Sequence, residues 1–318
     1  MTATAAPPEA PQAKAKMRPG DIWFSGSALF AGSMILATLA AVAIFLIVQS
    51  IPAFGATSQQ ASLLTTNFWA YVGPLLFGTI WAALLALVMA VPLSLGVALF
   101  ITHYAPRRLA QGLGYIVDLL AAVPSVVFGL WGILVLAPAV QPTYAWLTDN
   151  LGWFPLFSGE VSATGRTIFT AAIVLAVMVV PIITAICREI FLQTPRLHEE
   201  AALALGATRW EMIRMAVFPY ARSGIVSGAM LGLGRALGET MAVAMVLSAT
   251  AGVVTANLIS STNPSTIASN IALSFAESSG KSVNALIASG LVLFVITFIV
   301  NFAARAIVDR RKDFSGAN

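Results

Sequence analysis

The chain has 318 residues, 58% hydrophobic and only 9% charged, with a mean hydropathy of +0.88; soluble domains use roughly 45 to 50% apolar residues, so a water-soluble globule is excluded. Cys187 is the only cysteine, which rules out an intramolecular disulfide and any zinc or iron-sulfur site built on paired cysteines. The net charge of +4 would point to nucleic acid in a soluble protein, but in a membrane chain its placement reports orientation, and no nucleic-acid partner is expected.

Residues 1–21 are rich in Ala, Pro, Lys and Gln and bury too little apolar surface to offset ordering entropy, so a disordered tail is expected there. From Ile22 to Thr102 no Asp, Glu, Lys or Arg occurs, a run of 81 residues, while one crossing needs only about 20. The first apolar stretch, Ser27 to Val48, is longer than the roughly 7 to 15 residues of a signal-peptide core and is expected to stay as a span. Further spans are expected over Pro74–Ile101, Gly112–Ala137, Thr167–Cys187, Ser223–Thr250 and Val283–Ala306, six in all. Pro92, Pro124 and Pro181 fall inside three of them and are expected to kink them. No alternating strand pattern favours a barrel, so the fold class is all-α, a polytopic membrane bundle of six transmembrane helices.

Lys and Arg number three in the N-terminal tail, two after span two, five after span four and four in the C-terminal tail, fourteen in all, against Arg166 and Lys281 on the other side. By the positive-inside rule both termini and the loop 188–222 are cytoplasmic. The chain divides accordingly into a tail 1–21, a first helix and outer loop 22–69, a transmembrane domain 70–308 containing that loop, and a tail 309–318.

Within the loop, Thr194 suits an N-cap, Pro195 the first helical position, Gly206 a tight turn, and Thr208 with Glu211 a capping box for a second short helix ending before Pro219. The outline is a helix-turn-helix, but flanks held in a bilayer fit poorly with reaching a duplex major groove; on the residues alone a plain connector is the alternative. The string Glu200-Ala201-Ala202, with Gly206 beyond and Pro219 closing it, resembles the EAA loop of binding-protein-dependent ABC importer permeases. Ala216 and Phe218 depart from that family's usual Ile and Leu and change only apolar packing. The resemblance implies that Glu200, Ala201, Ala202 and Gly206 form a coupling helix that docks on a cytoplasmic ATPase.

Span five carries Arg235 and Glu239, and a charge at a helix centre costs about 2.5 to 3.5 kcal/mol on insertion scales. Counted from Ser223, Arg235 lies about 18 Å into a core of about 30 Å. On a continuous helix Gly224, Gly228, Gly232, Arg235 and Glu239 fall within about 80° of one another, and glycines spaced by four let a second backbone approach, so this face turns into the bundle. A self-neutralising i,i+4 ion pair is one reading. The other is a substrate pathway in which the planar Arg235 fork binds two oxygens of an anion and Glu239 holds that fork until the anion competes.

The string Gly234-Arg235-Ala236-Leu237-Gly238-Glu239-Thr240-Met241-Ala242-Val243, and Ala122 through Gly132 around Pro124, are similar to the permeases of phosphate-specific ABC importers of the PstC type, in family order across residues 70–308. The resemblance implies a type I ABC importer permease (MetI-like) fold and transport of inorganic phosphate by alternating access. Sulfate or molybdate transport, and an anion channel, remain alternatives. It further implies a second permease subunit, an ATPase subunit dimer that binds ATP and Mg, an extracytoplasmic phosphate-binding protein, and no cofactor in this chain.

Other signals are weak. Gly280-Lys281-Ser282 ends like a P-loop, but Phe275 occupies the earlier glycine position. Asp118 reads as a hydrated or capped carboxylate near the start of span three, and His103 and His198 as ordinary loop residues without metal spacing. Trp146, Trp153, Phe154 and Phe157 mark 141–165 as an interfacial aromatic stretch, open to contact with a binding protein. No catalytic set and no metal site are expected, and the chain is not expected to act as an enzyme.

Overall fold

A computed structural model describes residues 19–64 and 66–309 of the chain. It resolves into two units, the first ending at Val48 and the second beginning at Gln49. The first consists, among the described residues, of most of α1 (Pro19–Phe54), so residues 19–21 are helical rather than part of the expected tail. Residues 1–18 and 310–318, on which the two tail expectations fall, lie outside the described residues.

The second unit is built on α2 (Phe68–Leu99) and α6 (Ile168–Leu192), which pack along one another. Each starts at a polar cap: Asn67 accepts from the Ala70 amide at 2.9 Å, and Thr167 from the Thr170 amide at 3.2 Å. Pro92 and Pro181 sit inside these helices, as expected. Between them the Ser94 hydroxyl donates to the Val180 carbonyl at 3.2 Å, a polar bond of the kind that holds helices together where lipid supplies no hydrophobic drive. Val174, Val179 and Ile183 of α6 are fully buried and form the centre of the main core.

Among the described residues five helices are long and apolar enough to cross a bilayer: Trp23–Phe54, Phe68–Tyr104, Ser125–Leu151, Ile168–Leu192 and Lys281–Ala306. Two of the six expected spans, the third and the fifth, are redrawn. The third does not begin at Gly112, because Pro124 ends a helix instead of kinking one. An amphipathic α3 (Arg107–Ala121) stops before it, and α4 (Ser125–Trp131) starts with Pro124 as its N-cap. α4 continues through a π-helical turn, Gly132–Leu136, into α5 (Ala137–Leu151), so half of the expected aromatic loop is helix. Asp118 therefore sits on α3, where it pairs with Arg188 of α6 at 3.2 Å. Gly114 makes room for that reach, since a Cβ there would meet the Arg188 guanidinium at 2.3 Å.

The fifth expected span, 223–250, is broken. α9 (Phe218–Gly238) ends at Gly238, Glu239 is extended, and a six-residue α10 (Met241–Val246) follows. Before α9 come α7 (Arg196–Ala204), α8 (Arg209–Met212) and a second π-helical turn, Ile213–Val217. α8 thus runs on toward α9 instead of stopping before Pro219. α11 (Ile267–Ser274) and α12 (Lys281–Asp309) complete the chain. Lys281 donates to Gln60 at 2.7 Å from the first residue of α12, a structural role that replaces any P-loop reading.

At the end opposite α7, residues 247–266 form no regular element and are held by buried amides. Asn263, fully buried, accepts from the Ile168 amide at 3.0 Å and donates to the carbonyls of Ser260, Ser248 and Arg166 at 3.1, 3.2 and 3.4 Å. One side chain thus joins the start of α6 to the segment after α10. Asn263→Leu is expected to destabilise the protein by about 1 to 3 kcal/mol, the cost of orphaning a buried backbone group, read as a lower unfolding midpoint in detergent.

Candidate functional site: a cavity at Arg235 and an exposed helix pair

α9 lies against α6 through three glycines. A Cβ on Gly224 would meet Ile190 at 2.1 Å, on Gly228 Ile186 at 3.2 Å, and on Gly232 Val179 at 2.6 Å and Ile183 at 2.8 Å. The glycine face turns into the bundle as its spacing requires. Arg235, beyond the last of these glycines, is exposed and lines a cavity of about 1370 Å³ between α6, α9 and α12. Its walls are mostly apolar, with Ser223, Ser227, Asn301 and Arg305 as polar groups. Among the described residues Arg235 has no hydrogen bond or ion pair, so its guanidinium fork is open to a ligand.

Glu239 does not join it. The i,i+4 geometry presumes a continuous helix, and the helix ends one residue before Glu239, whose ψ of 125° is extended. Glu239 is buried, and its Oε1 accepts from the Ala242 amide at 3.1 Å. It therefore caps the first turn of α10, where a carboxylate also meets the positive end of the peptide dipoles. α10 packs in turn on α4: a Cβ on Gly129 would meet Ala242 Cα and Met245 Sδ at 3.0 Å, and one on Gly132 would meet Val246 at 2.6 Å. The two strings singled out from the sequence, around Pro124 and after Arg235, meet face to face.

The second candidate region is α7 with α8. Glu200, Ala201 and Gly206 are exposed, whereas Ala202 is buried in the main core. Gly206 has a φ of +86° and open space around it, so the turn demands glycine for its backbone angle alone. Leu197, Leu205 and Trp210 are 77%, 87% and 54% exposed, an apolar set around a carboxylate on one short helix pair. The capping box is present: Glu211 N donates to Thr208 Oγ1 at 3.3 Å and Thr208 N to Glu211 Oε2 at 2.8 Å. Thr194, expected as the cap of α7, is not; Pro195 holds that place and the buried Thr194 hydroxyl has no partner.

His103 was expected as an ordinary loop residue and is not one. It belongs to a π-helical turn, Phe100–Tyr104, that ends α2, and its Nε2 lies 3.7 Å from Glu199 of α7. No sequence pattern marked it, because its partner is almost a hundred residues away. Among the described residues no cluster of three or more His, Cys, Asp or Glu is arranged to hold a metal ion.

Bonds from the Thr208 backbone and hydroxyl hold the Glu211 carboxyl below the usual carboxylate range. A group depressed on folding contributes stability above its unfolded pKa and loses it as pH falls through the folded one. Protection of the Thr208 amide, taken relative to its intrinsic exchange rate at each pH, is therefore expected to fall on acidification below the ordinary Glu range, and to lose that dependence in Glu211→Ala. In α9, Gly232→Val is expected to cost about 1 to 3 kcal/mol by overpacking against α6. Gly234→Ala, with nothing within 4 Å of its Cβ, should leave the unfolding midpoint in detergent unchanged or raised.

Residues 90–313 match the family described as binding-protein-dependent transport system inner membrane component. A protein of Mycobacterium tuberculosis (strain ATCC 25618 / H37Rv) named phosphate transport system permease protein PstC 2 is 50% identical over 303 residues, 92% of this chain and 93% of that protein. A phosphate transport system permease protein PstC of Haemophilus influenzae is 39% identical over 228 residues, 66% of this chain and 69% of its own. Among solved structures, a bacterial ABC transporter involved in the import of the acidic polysaccharide alginate matches 90% of this chain and 99% of its own, with a TM-score of 0.55 at 18% identity. An inward-facing MetNI methionine ABC transporter matches 76% and 94%, with a TM-score of 0.50 at 16% identity. The helical order from α2 to α12 is thus the fold of ABC importer permeases, and this chain belongs to the binding-protein-dependent transport system inner membrane component family.

Proposed function

We propose that the chain is the PstC-type permease of an ATP-driven importer and moves inorganic phosphate by alternating access. The observation that carries this reading is Arg235: a guanidinium with no partner among the described residues, on a glycine-faced helix and open to a large cavity, in a chain half identical to permeases named for phosphate transport. A planar guanidinium binds two oxygens of a tetrahedral anion at once, which an ammonium does not. Glu239 serves the pathway by fixing the break between α9 and α10, which lets the two segments move separately.

Family membership makes the chain a transport subunit and not an enzyme; ATP hydrolysis resides in a separate subunit. In this reading the exposed face of α7, with Glu200, Ala201, Leu197 and Leu205 and the Gly206 turn, docks on an ATPase dimer that binds ATP and Mg, and Ala202 anchors it to the core. A second permease of the same importer completes the cavity, and an extracytoplasmic phosphate-binding protein delivers the anion. The excess of Lys and Arg at the α7 end and in the two tails supports a cytoplasmic position for all three. Residues 70–308 form the transmembrane domain and 188–222 its coupling loop.

The test is uptake of labelled phosphate into proteoliposomes holding the chain with these partners. Uptake that needs ATP and the binding protein and ignores sulfate and molybdate is expected; uptake without ATP would indicate a channel, and selective inhibition by sulfate or molybdate would assign another oxyanion. In Arg235→Ala, uptake at limiting phosphate is expected to fall roughly 10- to 100-fold, the value of charge-assisted bonds to an anion. Arg235→Lys should recover only part of it. Unchanged uptake in Arg235→Ala would remove Arg235 from the pathway.

A further inference from the structure

Segments far apart in sequence converge on His103. Glu199 of α7 approaches its Nε2 at 3.7 Å, with the two side chains only 9% and 23% exposed. Arg209 of α8 donates to its backbone carbonyl at 3.4 Å. Phe191 of α6 meets its ring edge-on at a centroid distance of 6.4 Å. The imidazole is also fixed from its other side, Nδ1 lying 2.6 Å from the Thr102 hydroxyl, which reaches back to the Ala98 carbonyl at 2.9 Å. His103 is thus oriented by its own helix and gripped by both halves of the exposed helix pair.

Its place in the fold gives that grip a direction. α2 runs from His103 back to Ser94, which is bonded to Val180 of α6. Val179 and Ile183 of α6 are the side chains on which Gly232 rests, and Arg235 follows within one turn. A helix pair that is solidly joined to the end of α2 therefore has a continuous packed route to the cavity, two stiff helices long.

We propose that His103 is a positioning residue for energy coupling: through Glu199 it clamps the α7–α8 pair to the end of α2, so that displacement of α7 by a docked partner is delivered along α2 and α6 to the walls around Arg235. The inference rests on the reading of α7 as the docking helix. His103 touches no substrate. Its contact with Glu199 keeps the exposed pair from swinging on its own connections, which on the α9 side pass through the π-helical turn 213–217.

The experiment measures phosphate taken up per ATP hydrolysed by the assembled transporter in proteoliposomes. In His103→Gln and Glu199→Gln, hydrolysis is expected to continue while that ratio falls about 2- to 30-fold, the range over which contacts remote from both sites modulate coupling. Asp118→Asn breaks the Asp118–Arg188 ion pair between α3 and α6 and should leave the ratio unchanged. The double variant His103→Cys/Glu199→Cys is expected to lose coupling and to regain it when a short bis-maleimide joins the two thiols; the one native cysteine, Cys187, is buried in α6. Ratios that stay at the parental value in both single variants, that fall only in step with hydrolysis, or that are not restored by cross-linking overturn the proposal. If the parent transporter imports sulfate or molybdate instead, the phosphate reading fails and the same ratio, taken for that anion, still decides the role of His103.

Discussion

The close seating of α9 on α6 is the constraint from which the remaining geometry follows. Three glycines at intervals of four bring the α9 backbone so close that an added methyl group would clash with Ile190 and Val179 and crowd Ile186. In a bilayer, where lipid competes equally for apolar side chains, dispersion between closely approaching backbones is the main drive for such a contact. With that face committed, the next residues around the helix are turned outward, and Arg235 reaches the cavity instead of the core. The cost of holding a guanidinium at membrane depth is met by where it points, toward a space in which water or an anion can solvate it.

A second close contact acts on the other side of the Glu239 break. α10 is too short to be stable by itself, and it persists because Glu239 caps it and because Gly129 and Gly132 let α4 lie directly on it. The lower part of this interrupted span therefore belongs mechanically to α6, and the upper part to α4. A single apolar segment of sequence serves two packing partners, and a two-residue joint, extended at Glu239, separates them.

Much of this was legible beforehand. The charge-free run, the glycine spacing, the φ-demanding Gly206 and the Thr208–Glu211 box each depend on near neighbours in sequence, and each stands as expected. What hydropathy could not resolve were the interruptions. Averaging over a window merges α3 with α4, because both are apolar on at least one side and only the backbone limits of Pro124 separate them. The same averaging carried span five through Gly238 and Glu239, and the expected pairing of Arg235 with Glu239 failed with it, since an i,i+4 argument holds only while the helix does. His103 was missed for another reason: its meaning lies entirely in contacts to Glu199, Arg209 and Phe191, which no local pattern encodes.

The π-helical turns put this architecture in a different light. A π turn is an α-helix carrying one residue more than its hydrogen bonds require, bonded i to i+5, as Ala105 to Phe100 and Phe218 to Ile213 are here. Each is thus a single-residue insertion that the helix absorbed without breaking. Loss of one residue from 100–104 would restore ordinary helix and leave the segments on either side facing much as they do now, while removing a position of the turn that holds His103. Such turns let the chain change length in whole-residue steps while the relative facing of two packed elements is kept. Related chains that differ by one residue at these turns would then share every helix and present the same faces to the same neighbours, differing only in the side chains of the turn itself.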